Sequence, residues 1–260
     1  MPPGTGWPED PSGPDSPVAT TADGVSGLAA ASADLGELTA RVGVCRACPR
    51  LVDWRETVAA TRRRAFAEQP YWGRPITGWG DPFAALLVVG LAPAAHGGNR
   101  TGRIFTGDRS GDWIFAALHR AGVASQPDSV HAGDGLAVTG VRIAAAVRCA
   151  PPGNAPLPVE RDTCAPWLDR EVTLLAPTLR SVLALGGFAW DAALACARRL
   201  GWTVPVPRPR FGHGAEVVLA RPRTGPVLLV GSYHVSQQNT FTGRLTEPML
   251  DAALARALAG

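Results

Sequence analysis

Residues 85–91 read ALLVVGL, a short apolar run that leads into a glycine-rich segment. Such a run is typical of a strand that is buried on both faces of a parallel sheet. Three further runs have the same apolar character, so the chain carries four candidate strands. They span residues 85–91, 140–147, 181–185 and 227–230.

Helical hydrophobic periodicity lies between these strands, at residues 112–121, 161–175 and 187–200. Strands that alternate with helices predict an α/β fold, here a three-layer α/β/α sandwich around a mainly parallel four-stranded sheet. In such sheets ligands bind beyond the carboxyl ends of the strands. The segments after residues 91, 147 and 230 are therefore the first candidates for a functional site.

The first forty residues differ in composition from the rest of the chain. They are rich in Pro, Gly, Ser and Ala, and they hold six of the 22 acidic residues and no basic one. We therefore expect a disordered acidic tail over residues 1–40 and a single domain over residues 41–260. The domain keeps all 25 basic residues and has a net charge of +9, which favours a polyanionic partner. A solvated basic surface explains this charge equally well.

The chain contains no lysine, so every basic side chain is an arginine. This excludes a P-loop, which needs a lysine, and it excludes a lysine Schiff base. The sequence also lacks an N-terminal secretion signal and an apolar run of about 20 residues. We expect a cytoplasmic monomer that does not contact membranes.

Five cysteines divide into four candidate ligands and one core residue. Cys45 and Cys48 form a C-x2-C pair, and Cys149 and Cys164 follow far downstream. The spacing leaves three alternatives open, namely an iron–sulfur cluster, a structural zinc ion and unbound thiols. The cluster is favoured because the second pair is C-x14-C, wider than is usual for zinc, and because prolines closely follow the cysteines. Cys196 lies in an apolar helical pattern and is expected in the core.

Two of the three segments after the strands carry side chains suited to chemistry. The glycine-rich segment 90–111 lets a ligand approach backbone N–H groups, and Asp108 lies just before a helix. After the last strand, His234 is followed by small and amide side chains. Taken alone, the glycine-rich segment indicates only a ligand-binding loop. Asp108 has a competing role as a helix N-cap, and a lone histidine such as His234 is more often structural.

In combination these features resemble a known family. Residues 90–93, GLAP, look like motif 1 of uracil-DNA glycosylases, and residues 234–236, HVS, look like their motif 2. With the four cysteines, residues 41–258 resemble the iron–sulfur branches of that superfamily, families 4 and 5. Leu91 and Ala145 stand where family 4 carries Glu and Asn, so the resemblance is to family 5, the broad-specificity type B enzymes.

The resemblance implies a monofunctional DNA glycosylase that hydrolyses the N-glycosidic bond of uracil and related damaged bases. Its partner would be double-stranded DNA, with single-stranded DNA as an alternative. The resemblance also implies a [4Fe-4S] cluster. The implied ligands are Cys45, Cys48, Cys149 and Cys164.

The same resemblance implies roles for individual residues. Asp108 would position water and stabilise the cationic sugar, and His234 would face uracil O2 in either charge state. Asn154 would meet the base edge or the water, and Phe105 would stack on the base. The remaining candidate substrate-binding residues are Ala94, Gln237, Gln238, Asn239 and Arg244.

Two other functions remain as alternatives. A non-catalytic iron–sulfur protein that binds nucleic acid would not need both Asp108 and His234 at strand ends. A zinc-dependent hydrolase would need closely spaced ligands, which the five histidines do not show. Four arginines near the candidate loops are candidate phosphate contacts or partners of surface acids. They are Arg100, Arg103, Arg109 and Arg244.

Overall fold

The computed structural model describes residues 1–222 and 224–260. Within these residues, six strands form one sheet. They are β1 (Trp79–Gly80), β2 (Leu86–Gly90), β3 (Val141–Ala145), β4 (Ser181–Leu185), β5 (Glu216–Leu219) and β6 (Val227–Ser232). Their order across the sheet is β1-β3-β2-β4-β6-β5.

The four predicted strands are β2, β3, β4 and β6, and they form the parallel centre of the sheet. The prediction of a four-stranded sheet is nevertheless wrong in its count. The strands β1 and β5 add to its two edges in antiparallel orientation. Neither edge strand has a buried apolar run, because β1 is two residues long and most of β5 is exposed to some degree. The hydrophobic pattern therefore does not reveal them.

Nine α-helices occur in the described residues, and three of them are the predicted ones. They are α1 (Ala22–Ala30), α2 (Leu35–Gly43), α3 (Pro49–Thr61), α4 (Gly98–Thr101), α5 (Arg109–Arg120), α6 (Pro158–Leu175), α7 (Gly187–Arg199), α8 (Gln237–Phe241) and α9 (Glu247–Leu258). The predicted helices correspond to α5, α6 and α7. No helix in the described part of the chain has the length and apolar composition needed to cross a membrane.

Alternate residues of the central strands face opposite helical layers. In β2, Leu86 and Val88 pack in a cluster with residues of α5 and α9. Their neighbours Leu87 and Val89 pack in a second cluster with residues of α6 and α7, which also holds Cys196. The predicted three-layer α/β/α arrangement is thus confirmed, and both faces of the sheet are covered.

The first forty residues are ordered, in contrast to the predicted disordered tail. Helices α1 and α2 begin at the side-chain N-caps Thr21 and Asp34. Their apolar residues are few, but they are spaced to form one face on each helix. These residues pack with Trp167 of α6 into a buried cluster. Composition averaged over the segment conceals this spacing, and for that reason the prediction failed.

A buried ion pair also ties the N-terminal segment to the body of the protein. The carboxylate of Asp10 accepts a hydrogen bond from Arg74, and both side chains are at most 9% exposed. The Arg74 guanidinium also lies 3.7 Å from the ring centroid of Trp72. At least one acidic residue of this segment, Asp10, is therefore part of the folded structure.

Replacing Asp10 with Ala should destabilise the protein strongly, because it leaves the Arg74 charge buried without its carboxylate. We expect the free energy of unfolding to fall by about 3 kcal/mol, measured by denaturant unfolding with tryptophan fluorescence. Asp15→Ala is the matched control, since Asp15 is exposed in the same segment. Equal stability of the two variants would contradict a structural role for the N-terminal segment.

Candidate active site

The loops after β2, β3 and β6 enclose one cavity of about 420 Å³ at the carboxyl edge of the sheet. These are the three segments to which the strand pattern pointed. Six of the candidate site residues line the cavity. They are Ala94, Phe105, Asp108, Asn154, His234 and Gln238. The fold therefore gathers residues from three distant parts of the sequence.

The ring of Phe105 lies against the end of β2. A Cβ atom on Gly90 would stand 2.6 Å from Cζ of Phe105, so glycine leaves the room that the ring occupies. Phe105 has a φ of 50°, a left-handed conformation that is unfavourable for a bulky residue and is often found at functional sites. Its ring centroid lies 6.2 Å from that of His234. The two rings form neighbouring walls of the cavity.

Two buried arginines hold the glycine-rich loop in place. Arg100 donates a hydrogen bond to the backbone oxygen of Gly107 at 2.9 Å. Arg103 donates to the carboxylate of Asp134 at 2.6 Å and is 1% exposed. The interpretation of Arg100 and Arg103 as phosphate contacts is therefore wrong, because their guanidinium groups face the protein interior. Arg109 is exposed near the cavity.

Asp108 is the N-cap of α5. Its Oδ1 accepts hydrogen bonds from the backbone N–H groups of Ser110 at 2.9 Å and Gly111 at 3.1 Å. Its Oδ2 lies against Gly97, where a Cβ atom would be 2.0 Å away, and it accepts no hydrogen bond from a described residue. Burial raises the pKa of Asp108, and the two N–H groups oppose this rise. One oxygen thus caps the helix, and the other is available to a ligand.

His234 lies just after β6, on backbone that other side chains hold. The N–H of Tyr233 donates to Nδ1 of His213 at 3.2 Å, and Nδ2 of Asn239 donates to the His234 carbonyl at 2.8 Å. Burial lowers the pKa of His234 to about 4. The imidazole is therefore neutral at physiological pH and offers one N–H donor.

Asn154 ends a 3₁₀ turn over residues 152–154. Gly153 and Asn154 both have left-handed backbone, with φ values of 61° and 57°. Asparagine tolerates this conformation better than most residues do. The exposed side chain lines the cavity. Asn154 is thus both a turn residue and a cavity residue, and one role does not exclude the other.

Three of the candidate residues do not line the cavity. Asn239 contacts it indirectly, through the carbonyl of His234. Gln237 is exposed at the start of α8. The Arg244 guanidinium lies 4.6 Å from the ring centroid of Tyr233. Gln237 and Arg244 therefore belong to the surface around motif 2 and not to the cavity.

Sequence reasoning missed His213, which supports the backbone next to His234. Its ring stacks on Tyr233 with centroids 5.1 Å apart. The one signal in the sequence is a histidine between Gly212 and Gly214, which points to no particular chemistry. Only the pairing of β5 with β6 brings the segment before β5 close to motif 2.

Four cysteines line a second, smaller cavity between α3, α6 and the segment after β3. They are Cys45, Cys48, Cys149 and Cys164. Arg55 donates to Sγ of Cys149 at 3.0 Å, and the N–H of Arg148 donates to Sγ of Cys164 at 3.3 Å. Burial raises the pKa of Cys48 to about 12, and the nearby cysteines add to this rise. In the described residues no three Cys, His, Asp or Glu side chains are arranged to hold a single metal ion.

Comparison with known proteins identifies the family to which the chain belongs. The profile of the uracil DNA glycosylase superfamily matches residues 77–258. A type-5 uracil-DNA glycosylase of Mycobacterium tuberculosis (strain CDC 1551 / Oshkosh) is 57% identical over 260 residues, which cover 99% of this chain and 94% of the relative. Type-5 uracil-DNA glycosylases of Thermus thermophilus and Pyrobaculum aerophilum are 50% and 47% identical over 218 and 215 residues. Each alignment covers 83% of this chain, with 94% and 88% of the respective relative. The chain belongs to the uracil DNA glycosylase superfamily, in its type-5 branch, as the motifs predict.

Proposed function

We propose that this chain is a monofunctional DNA glycosylase that hydrolyses the N-glycosidic bond of uracil and related deaminated bases in DNA. The observation that carries the proposal is the cavity in which a neutral imidazole, a carboxylate and a carboxamide surround an aromatic ring. The activity in the names of the relatives supports it. A protein that only binds nucleic acid needs neither Asp108 nor His234 in such a cavity.

The reaction separates C1′ of the sugar from the base, so positive charge develops on the sugar and negative charge on the base. A base inside the duplex cannot reach the cavity, and the nucleotide must first be flipped out. Phe105 then stacks on the base, and backbone N–H groups near Ala94 contact it. His234 donates its N–H to uracil O2, where negative charge collects.

The carboxylate of Asp108 acts on the opposite charge. Its free Oδ2 stabilises the cationic sugar and orients the attacking water. Asn154 presents its amide to the base edge or to the same water. Because His234 is already neutral, it stabilises the leaving base by a hydrogen bond and does not have to lose a proton first.

The surface around motif 2 is suited to the gap that the flipped base leaves. Phe241 in α8 is 68% exposed, and the Arg109 guanidinium lies 5.5 Å from its ring centroid. An exposed apolar side chain beside a cation can enter the base stack while the cation contacts phosphate. Gln237 and Gln238 lie about one turn before Phe241 on the same helix, and Arg244 provides a further phosphate contact. One copy carries all these residues, which supports a monomer. We also propose that the enzyme acts on DNA in the cytoplasm.

The enzyme stops at the abasic site. Strand cleavage by a bifunctional glycosylase usually proceeds through an imine on a lysine. The chain contains no lysine, so this route is closed.

A [4Fe-4S] cluster on the four cavity cysteines is the second part of the proposal. Each iron of such a cluster binds one thiolate, so the four sulfur atoms stand further apart than the ligands of one zinc ion. An arrangement of four cysteines around one cavity without a single-ion site fits this requirement. The cluster would crosslink α3 to the segment after β3, and base excision needs no electron transfer from it.

A buried guanidinium supports thiolate ligands in this cavity. Arg55 is 1% exposed, and the carboxylate that it approaches, Glu56 at 3.9 Å, is 44% exposed. Its Nη1 instead donates to Sγ of Cys149. A buried cation needs an anion beside it, which a metal-bound thiolate supplies and a neutral thiol does not.

The cysteine assignment predicts the colour and metal content of the protein. Protein purified without oxygen should be brown and hold about four irons per chain, measured by absorption and elemental analysis. Cys149→Ser should lose the iron and much of the soluble protein. Cys196→Ser should keep the iron, because Cys196 lies in α7 and belongs to a different buried cluster from Cys164. A colourless protein with one zinc per chain would contradict the assignment.

Asp108→Asn separates the catalytic role from the N-cap role. Asparagine caps helices about as well as aspartate, so the melting temperature should change little. Single-turnover release of hypoxanthine, a poorer leaving group, should fall about 100-fold, and release of uracil should fall less. Asp112→Asn, exposed on the same helix, is the control. Wild-type rates of the Asp108 variant on both bases would refute the catalytic role.

The lowered pKa of His234 predicts how stability depends on pH. Its pKa lies near 6.5 in the unfolded chain and near 4 in the folded protein, so the unfolded chain binds more protons in this window. Stability should therefore fall as the pH drops from 6.5 towards 4. Between pH 7 and pH 5, His234→Gln should lose less stability than the wild type, measured by denaturant unfolding. The control is His119→Gln, a change at an exposed histidine, which should lose as much stability as the wild type. Equal losses in all three proteins would mean that His234 titrates normally.

A further inference from the structure

Arg50, two residues after Cys48, connects α3 to the turn that carries Asn154. Its Nη2 donates to the backbone oxygen of Ala155 at 3.1 Å. Its Nε donates to Oε1 of Glu160 at 2.9 Å, and Nη2 also donates to Oε2 at 3.2 Å. These contacts join segments that are more than 100 residues apart in sequence.

The turn that Arg50 contacts needs support from outside. Its two consecutive left-handed residues, Gly153 and Asn154, include one that carries a side chain and is therefore strained. Backbone hydrogen bonds inside the turn link Asn154 to Pro151 and Ala155 to Pro152, both at 3.2 Å. In the described residues, Arg50 makes the one side-chain hydrogen bond that reaches residues 152–156 from another element.

Glu160 fixes the direction of the Arg50 side chain. Its side chain is 5% exposed, whereas that of Arg50 is 37% exposed. A nearly buried carboxylate requires a partner, and the planar guanidinium meets it in two-point geometry. Oε2 of Glu160 also accepts the N–H of Leu157 at 2.7 Å, at the start of α6. Arg50 and Glu160 thus hold both ends of the segment between Asn154 and α6.

We propose that Arg50 is a positioning residue for base excision, which holds the Ala155 carbonyl and thereby places the amide of Asn154 in the cavity. The inference rests on the proposed function, in which Asn154 contacts the base or the attacking water. Arg50 itself does not line the cavity. Its effect on the reaction passes through Asn154.

A double-mutant cycle tests this dependence. Arg50→Gln should lower the single-turnover rate of uracil release by about tenfold or more, because a shift of about 1 Å in a catalytic group is costly. The affinity for abasic DNA should change little. Arg50→Gln should cause no further loss in an Asn154→Ala background, since the group that it positions is already gone.

The matched control is Arg46→Gln. Arg46 also adjoins the cysteine pair, but it is exposed and bonds Glu56. This control should keep the wild-type rate, and all variants should keep the wild-type iron content. Arg50→Lys should restore stability if Arg50→Gln folds poorly. Its rate should remain below wild type, because an ammonium cannot reproduce the planar two-point contact with Glu160 while also holding the Ala155 carbonyl.

The outcomes against the proposal are distinct from one another. If Arg50→Gln lowered the rate equally in the wild-type and the Asn154→Ala backgrounds, the positioning role of Arg50 would be overturned. The role of Asn154 would stay intact. A wild-type rate in Asn154→Ala would overturn the role of Asn154 itself, and the inference with it. A full wild-type rate in Arg50→Lys would mean that Arg50 acts through its charge alone, which would overturn the positioning role.

Discussion

Four neighbouring strands, β3, β2, β4 and β6, run parallel and in register, so that Gly90 pairs with Ala145 and Leu185 pairs with Ser232. Because their carboxyl ends lie along one edge, the loops after β2, β3 and β6 all start from that edge. Helices cover both faces of the sheet, which prevents these loops from spreading over it. They meet beyond the edge instead, and the cavity is the space between them.

The loops need small residues to come this close. Gly90 makes room for the ring of Phe105, and Gly97 makes room for the carboxylate of Asp108. The glycine-rich loop would be mobile without further contacts, and buried arginines supply them. In the part of the chain that the structure describes, seven arginines are buried. They are Arg55, Arg74, Arg100, Arg103, Arg142, Arg148 and Arg221.

These buried arginines limit what a charge count can show. The net charge of the chain still favours a polyanion, but which arginines face DNA depends on the fold. Arg100 and Arg103 lie in the loop that forms the cavity, yet their guanidinium groups point into the protein. Arg109 and Arg244 lie on the surface beside the cavity and stay candidates for DNA contact.

The sequence predicts the parts of the fold that repeat a simple physical pattern. Doubly buried strands are continuous apolar runs, so the parallel centre of the sheet and its loops could be located. The edge strands β1 and β5 carry no such run, and the N-terminal helices bury only a few residues each. The site residues on strand ends could be named, whereas His213 and Arg50 act through contacts between distant segments. A local pattern contains no information about such contacts.

Helix α3 connects the cysteines to two of the loops that form the cavity. Arg50, near its start, holds the turn with Asn154, and the carbonyl of Arg55 accepts a hydrogen bond at 3.1 Å from Asn99 in the glycine-rich loop. One rigid helix therefore sets the distance between the two loops. Cys48 is the N-cap residue of this helix, and Arg55 bonds Cys149 on the segment after β3. A cluster that ties Cys48 to Cys149 would fix α3 from the same side. Through α3, such a cluster would influence the geometry of the active site without any electron transfer.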